Sequence, residues 1–134
     1  MISTSTSELS EELPLISIVL TTYNSEGIIR RVLDGILTQD YPLNRIELII
    51  VDGGSKDATL NILSIFLETY KHRFAGIKLI IHDKNYGVSR ARNDGIKLSR
   101  GEYILILDHD VYLSKKTITT LYMYLKNSPP KVAG

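Results

Sequence analysis

The sequence predicts an α/β fold built on a mostly parallel sheet sandwiched by helices, and three observations carry that expectation. Four short runs rich in β-branched and aliphatic residues recur along the chain, at 16–20 (ISIVL), 46–51 (IELIIV), 77–81 (IKLII) and 103–107 (YILIL). Each is followed by a polar stretch and then by apolar residues at helical spacing. The runs are apolar nearly throughout, which is the pattern of strands covered on both faces and joined by crossover helices. A chain of 134 residues has room for one compact domain and excludes a two-domain enzyme.

The elements follow in order. The first strand, 16–20, lies between Pro14 and the polar residues Thr21 to Ser25. From Glu26 the apolar residues Ile28, Ile29, Val32, Leu33, Ile36 and Leu37 mark a helix that ends before Tyr41-Pro42, with Asn24 or Ser25 as its cap. The second strand, 46–51, leads through a loop at 52–56 into a helix over about 57–70 with Leu60, Leu63, Ile65 and Leu67 on its apolar face. The third strand, 77–81, precedes a helix over about 88–98, and Gly101 is placed to close it in a left-handed conformation. After the fourth strand, 103–107, Ser114 is the expected cap of a last helix reaching about Asn127, stopped by Pro129-Pro130.

Composition narrows the chemistry. With 43% hydrophobic and 23% charged residues the chain is globular in type, not disordered. It has no cysteine, so disulfides, thiolate zinc sites and a cysteine nucleophile are excluded. No apolar run approaches the ~20 residues of a transmembrane helix. Residues 1–13, rich in Ser, Thr and Glu, lack the basic start and apolar centre of a signal peptide and read as a flexible lead-in, with a cytoplasmic location expected. Residues 1–70 carry four Lys or Arg against ten Asp or Glu, and residues 71–134 twelve against five. That asymmetry is compatible with an anionic ligand or surface near the second half, although mixed solvated faces are its usual explanation, and it does not demand nucleic acid.

In open parallel sheets ligands collect beyond the carboxyl ends of the strands. Those exits carry Thr21, Tyr23 and Asn24; then Asp52, Gly53, Gly54 and Ser55; then His82, Asp83, Lys84 and Asn85; then Asp108, His109 and Asp110. Turns and caps want the same residue types, so one exit alone says little. Asp108 and Asp110 are two apart, so in an extended segment both carboxylates face one way and His109 the other. Two hard oxygen ligands fit Mg²⁺ or Mn²⁺, ions commonly shared with substrate phosphates. Tyr23 offers a ring face and Asp52 a hydrogen-bond acceptor, each equally readable as packing or capping. Arg90 and Arg92 cannot both face one point on a helix. His72 and His82 read as surface histidines without a role.

Taken together, SIVLTTYN (17–24), IELIIVDGGSKDAT (46–59), KNYGVSRARNDGI (84–96) and GEYILILDHDVYL (101–113) resemble the nucleotide-binding half of a family-2 glycosyltransferase with the Rossmann-like GT-A fold. The resemblance runs from about Ser17 to Leu125. It implies transfer of a sugar, with inversion and with Mn²⁺ or Mg²⁺, from a UDP- or GDP-linked donor to a glycan, lipid or protein acceptor. It also implies roles. Thr21 and Tyr23 contact the base, Tyr23 by stacking; Asp52 hydrogen-bonds the base or ribose, and Ser55 supports that loop. Asn85, Arg92 and Asn93 line the donor pocket, Arg92 meeting the sugar or diphosphate. Asp110 ligates the metal, and Asp108 contacts ribose, sugar or the metal and its water. Many relatives work at the membrane, so a peripheral association is compatible with the cytoplasmic expectation, as is a homo-oligomer.

Three departures from the family pattern stand out. Gly53 replaces the second of a usual aspartate pair, Val111 replaces a further acid, and no residue is a candidate general base. Residues 14–134 therefore read as a donor-binding half domain that stops before the acceptor side, residues 131–134 (KVAG) resembling the opening of a further strand. The alternative function is a non-catalytic nucleotide-sugar-binding module, or a fragment completed by a partner chain. A phosphohydrolase with Asp108 as nucleophile and Asp110 as acid is disfavoured, because only twenty-four residues follow Asp110. A nicotinamide site is disfavoured because TTYNSEG is not a glycine-rich turn.

Overall fold

The computed structural model describes residues 13–127; the expectations for the lead-in over 1–12, the Pro129-Pro130 stop and the strand opening at 131–134 lie outside the described residues. The order of elements is β1 (Ile16–Thr22), α1 (Ile29–Leu37), a single 3₁₀ turn (Leu43–Arg45), β2 (Ile46–Asp52), α2 (Thr59–Tyr70), β3 (Gly76–Ile81), α3 (Val88–Leu98), β4 (Tyr103–Asp108) and α4 (Thr117–Lys126). All four strands are parallel, in the spatial order β3-β2-β1-β4.

The central strands β1 and β2 are buried at every position. On one face Ile16, Ile18, Leu20, Leu48 and Ile50 pack against Ile29, Val32, Leu33 and Ile36 of α1, Ile62, Leu63 and Phe66 of α2 and Ile118 of α4. On the other face Val19, Ile49 and Val51 meet Ala91 of α3. Coverage of both faces holds at the centre and thins at the edges. On β4, Ile104 and Ile106 remain 42% and 41% exposed, because the single helix on that face lies over β1 and β2.

Several local expectations give way to packing. α1 begins at Ile29, since the Ser25 carbonyl accepts from both Ile28 and Ile29 N–H and makes a turn first. No side chain caps its start, because those of Asn24 and Ser25 bond elsewhere. On α2 the buried stripe is Ile62, Leu63 and Phe66, and Ile65 is 59% exposed. α4 starts at Thr117, with Ser114 contributing its carbonyl in place of a side-chain cap. Gly101 does not have positive φ; α3 ends at Ser99 in extended conformation. Gly101 is needed for closeness: a Cβ there would lie 2.5 Å from the Ser17 amide nitrogen.

Candidate functional site

The sheet order reverses between β1 and β4, which opens a crevice at their carboxyl ends. There the chain forms a cleft of about 300 Å³. β1 contributes Thr21 and Thr22 with the following Tyr23, and the β2 exit contributes Gly53. Asn85, Gly87 and Val88 precede or open α3, and Ala91 and Arg92 follow on it. The β4 exit supplies Asp108, His109 and Asp110.

Two loops meet behind the cleft and are laced together. Asn24 adopts a φ of +45°, which asparagine tolerates better than most residues. Its N–H donates to Ser55 Oγ (2.8 Å) and its Oδ1 accepts from Lys56 N–H (2.8 Å). Ser25 N–H donates to Thr59 Oγ1 (2.7 Å). Glu26 N–H donates to Asp57 Oδ2 (3.3 Å), and Glu26 Oε2 accepts from Ala58 N–H (3.2 Å). Thr59 thus buries its hydroxyl to hold the loop that presents Tyr23.

Asp52 anchors this arrangement from below. Its Oδ1 accepts from Thr22 Oγ1 (2.7 Å) and Ser55 Oγ (2.6 Å), and its Oδ2 from the N–H groups of Gly54 (2.9 Å) and Ser55 (2.7 Å). The side chain is fully buried and outside the cleft lining. A carboxylate offers about four lone-pair positions, and all four are taken inside the chain. The expected bond to a base or ribose could form only by displacing one of them. Ser55 is likewise buried, completing the same brace.

Tyr23 is 40% exposed with its ring beside Gly53. A Cβ at position 53 would approach the ring edge to 3.2 Å and the Asn85 amide oxygen to 3.6 Å, so the absent second aspartate leaves room for a flat surface between them. Asn85 Oδ1 accepts from Gly87 N–H (2.8 Å), and Gly87 holds a φ of +93° that glycine adopts without steric cost. At the cleft rim the Tyr86 hydroxyl donates to Asp83 Oδ1 (2.6 Å), which holds the Asp83 carboxyl below its ordinary range.

Arg92 and Asp108 form the charged floor. Arg92 Nη2 donates to Asp108 Oδ1 at 2.8 Å, and Thr21 Oγ1 approaches the same oxygen at 3.4 Å. Arg92 Nε is buried without a hydrogen-bond partner. Asp110 is exposed on the cleft. Arg90 faces outward over the Tyr86 ring and near Asp94. Asn93 is exposed on α3 and is not brought into the cleft.

Among the described residues no group of three or more His, Asp or Glu side chains is arranged to hold a metal. The donors present are two hard carboxylates beside an open cleft, a set that fits Mg²⁺ or Mn²⁺ only where phosphate and water complete the shell.

His109 departs from expectation. β4 ends at Asp108, and Val111 N–H returns to the Asp108 carbonyl (3.2 Å). The segment is a turn, so strand alternation no longer sets side-chain direction. His109 lines the cleft with its Nδ1 hydrogen-bonded to Ser25 Oγ. His82 also departs: its side chain is only 8% exposed and its Nε2 bonds Asp94 Oδ2 at 2.8 Å, tying the end of β3 to α3. Ser25, Thr22 and Ala91 carry no sequence signal that distinguishes them from ordinary turn or core residues.

Among the described residues no helix is long and apolar enough to cross a membrane. The fold has close counterparts. TarS of S. aureus, in a crystal structure with UDP-GlcNAc, superposes with a TM-score of 0.74 and 31% identity over 84% of this chain and 31% of that one. The mannosyltransferase PcManGT from Pyrobaculum calidifontis, in complex with GDP-Man and Mn²⁺, superposes with a TM-score of 0.77 and 27% identity over 92% and 35%. In sequence, the chain is 38% identical over 114 residues to a poly(ribitol-phosphate) beta-glucosyltransferase of Bacillus spizizenii, covering 84% of this chain and 17% of that protein. It is 36% identical over 123 residues to a dolichyl N-acetyl-alpha-D-glucosaminyl phosphate 3-beta-D-2,3-diacetamido-2,3-dideoxy-beta-D-glucuronosyltransferase of Methanococcus voltae, covering 89% and 37%. The chain thus spans well under half the length of these relatives. The architecture is α/β of the GT-A type, and with the glycosyl transferase family 2 model matching residues 17–134, the chain belongs to that family.

Proposed function

We propose that the cleft binds a nucleoside-diphosphate sugar and that the protein of which these residues form the donor side transfers the sugar, with inversion, to an acceptor hydroxyl. One observation carries the reading. The reversal of strand order gathers an aromatic face (Tyr23), a guanidinium (Arg92), two carboxylates (Asp108 and Asp110) and the amino end of α3 around a single opening. Tyr23 and Gly53 form the flat half, suited to a base. Asn85, Arg92 and the free first-turn N–H groups of α3 form the polar half, suited to a diphosphate. UDP-GlcNAc and GDP-Man in the complexes of similar proteins support this ligand class.

A divalent cation held by Asp110 and the outer oxygen of Asp108 would offset charge gathering on the departing diphosphate, and the presence of Mn²⁺ in one such complex supports the use of a cation. The chain's own groups supply the rest: Arg92 opposes negative charge and orients Asp108, and the Asp52 brace fixes the loop that presents Tyr23.

Calorimetric titration of UDP and of GDP, with and without Mn²⁺ or Mg²⁺, tests the proposal. Metal should tighten one diphosphate by roughly tenfold or more, a gain of about 1.4 kcal/mol, and Asp110→Ala should erase that gain while leaving the fold intact. Failure of a folded sample to bind either diphosphate would defeat it. Tight donor binding by the complete protein with neither transfer nor hydrolysis would instead favour a binding module.

A further inference from the structure

The Ser25–His109 contact has no place in the ligand roles above, yet together with the longer Thr21–Asp108 bond it joins the β1 exit to the β4 exit across the mouth of the cleft. Ser25 is 2% exposed, and its hydroxyl also accepts from Tyr23 N–H (3.2 Å) and donates to the Tyr23 carbonyl (3.1 Å). A hydroxyl has one hydrogen and two lone pairs. Ser25 Oγ accepts from Tyr23 N–H and bonds His109 Nδ1, whose role as donor or acceptor follows the imidazole tautomer, so the hydroxyl links both partners at once. In either imidazole tautomer His109 thus clips the backbone of Tyr23 to the turn that carries Asp108 and Asp110.

Resting on the donor-site reading, we infer that His109 and Ser25 are positioning residues that couple the base-binding and diphosphate-binding halves of the cleft. The clip makes Tyr23 and the aspartate turn move as one unit. Base contact at Tyr23 then sets the aspartates for the diphosphate, and the diphosphate in turn fixes the ring. Such coupling is reciprocal in binding free energy. Neither residue needs to touch the ligand for this.

The test uses His109→Leu, which removes the Nδ1 partner, His109→Asn, whose amide offers both a donor and an acceptor near the same point, and Ser25→Ala, alone and combined with His109→Leu. Binding of UDP with Mn²⁺, or of GDP where UDP does not bind, is measured by calorimetry. Exchange of the Tyr23 amide hydrogen is measured by NMR on the ligand-free protein. His109→Leu should weaken diphosphate binding about fivefold and speed Tyr23 exchange, and His109→Asn should recover most of both. Ser25→Ala should weaken binding similarly, and the double variant no further, as for two groups acting through one contact. If Ser25→Ala does not fold, the Leu and Asn pair decides alone.

Equal affinity or equal Tyr23 exchange in wild type and His109→Leu overturns the coupling while leaving the donor site standing. So do additive losses in the double variant. A folded wild type that binds neither diphosphate overturns the donor-site reading, and the coupling with it.

Discussion

Asp52 shows how a residue can sit in a cleft-forming segment and serve it indirectly. Its carboxylate takes four hydrogen bonds from its own chain while fully buried, so its removal strands two hydroxyls and two amides. Leaving such donors unsatisfied costs about 1–3 kcal/mol each where water cannot reach them. Asp52→Ala should therefore lower stability by about 3 kcal/mol or more in urea denaturation and weaken nucleotide binding through disorder of the 53–59 loop. Arg92 works in the open. Its bond to Asp108 and its place in the cleft predict that Arg92→Ala weakens UDP or GDP binding about tenfold, the order expected for a charge-assisted hydrogen bond. Arg92→Lys should recover only part, since a lysine cannot reproduce the planar guanidinium. Calorimetry reads both.

At the scale of elements, α3 is set by a glycine. A Cβ on Gly95 would lie 2.4 Å from Val19 Cγ1 and 3.4 Å from Val51 Cγ2, so this helix lies on β1 and β2 only because position 95 has no side chain. Gly95→Ala should gain up to about 1 kcal/mol of helix propensity and lose about 1–3 kcal/mol by overpacking. The net expected is destabilisation, with α3 lifted and Arg92 withdrawn from Asp108. Adding Val19→Ala should restore much of the Asp108 contact, visible as recovery of diphosphate affinity in the double variant. The sequence showed Gly95 only as a small residue inside a helical pattern; what it lies against is fixed by a contact 76 positions away.

For the molecule as a whole, the edge opposite the cleft is held by a buried charge. Glu47 is 1% exposed on β2 and accepts from Ser17 Oγ (2.8 Å) on β1 and Arg100 N–H (2.9 Å) before β4, with Lys78 Nζ of β3 at 3.5 Å. Burial works against its ionisation, but the bonds from Arg100 N–H and Ser17 and the charge of Lys78 outweigh it and hold the carboxyl below its ordinary value. A carboxylate with a depressed folded-state pKa stabilises fully above its unfolded value near 4.5, and that contribution fades as pH falls through the lower folded value. Glu47→Gln should be destabilised by about 1–3 kcal/mol near neutrality, and the gap to wild type should narrow as pH drops below about 4.5. Chemical denaturation at a series of pH values measures the gap, and one independent of pH would refute the assignment.

The sequence by itself determined the four β–α units, their class and the polar residues at each strand exit, because burial leaves a periodicity that can be read within a single element. Tyr23, Asp108 and Asp110 were legible in that way, by residue type and position after an apolar run, whereas Arg92 was separated from Arg90 only by the family resemblance. The sheet order decided the rest. It put β1 between β2 and β4, turned Asp52 inward, brought His109 to Ser25 across 84 positions and buried Glu47 beneath its partners. These outcomes depend on which strands become neighbours and where a strand stops. Local spacing does not encode them, since each pair forms only after crossovers have closed and non-local packing has fixed the distance.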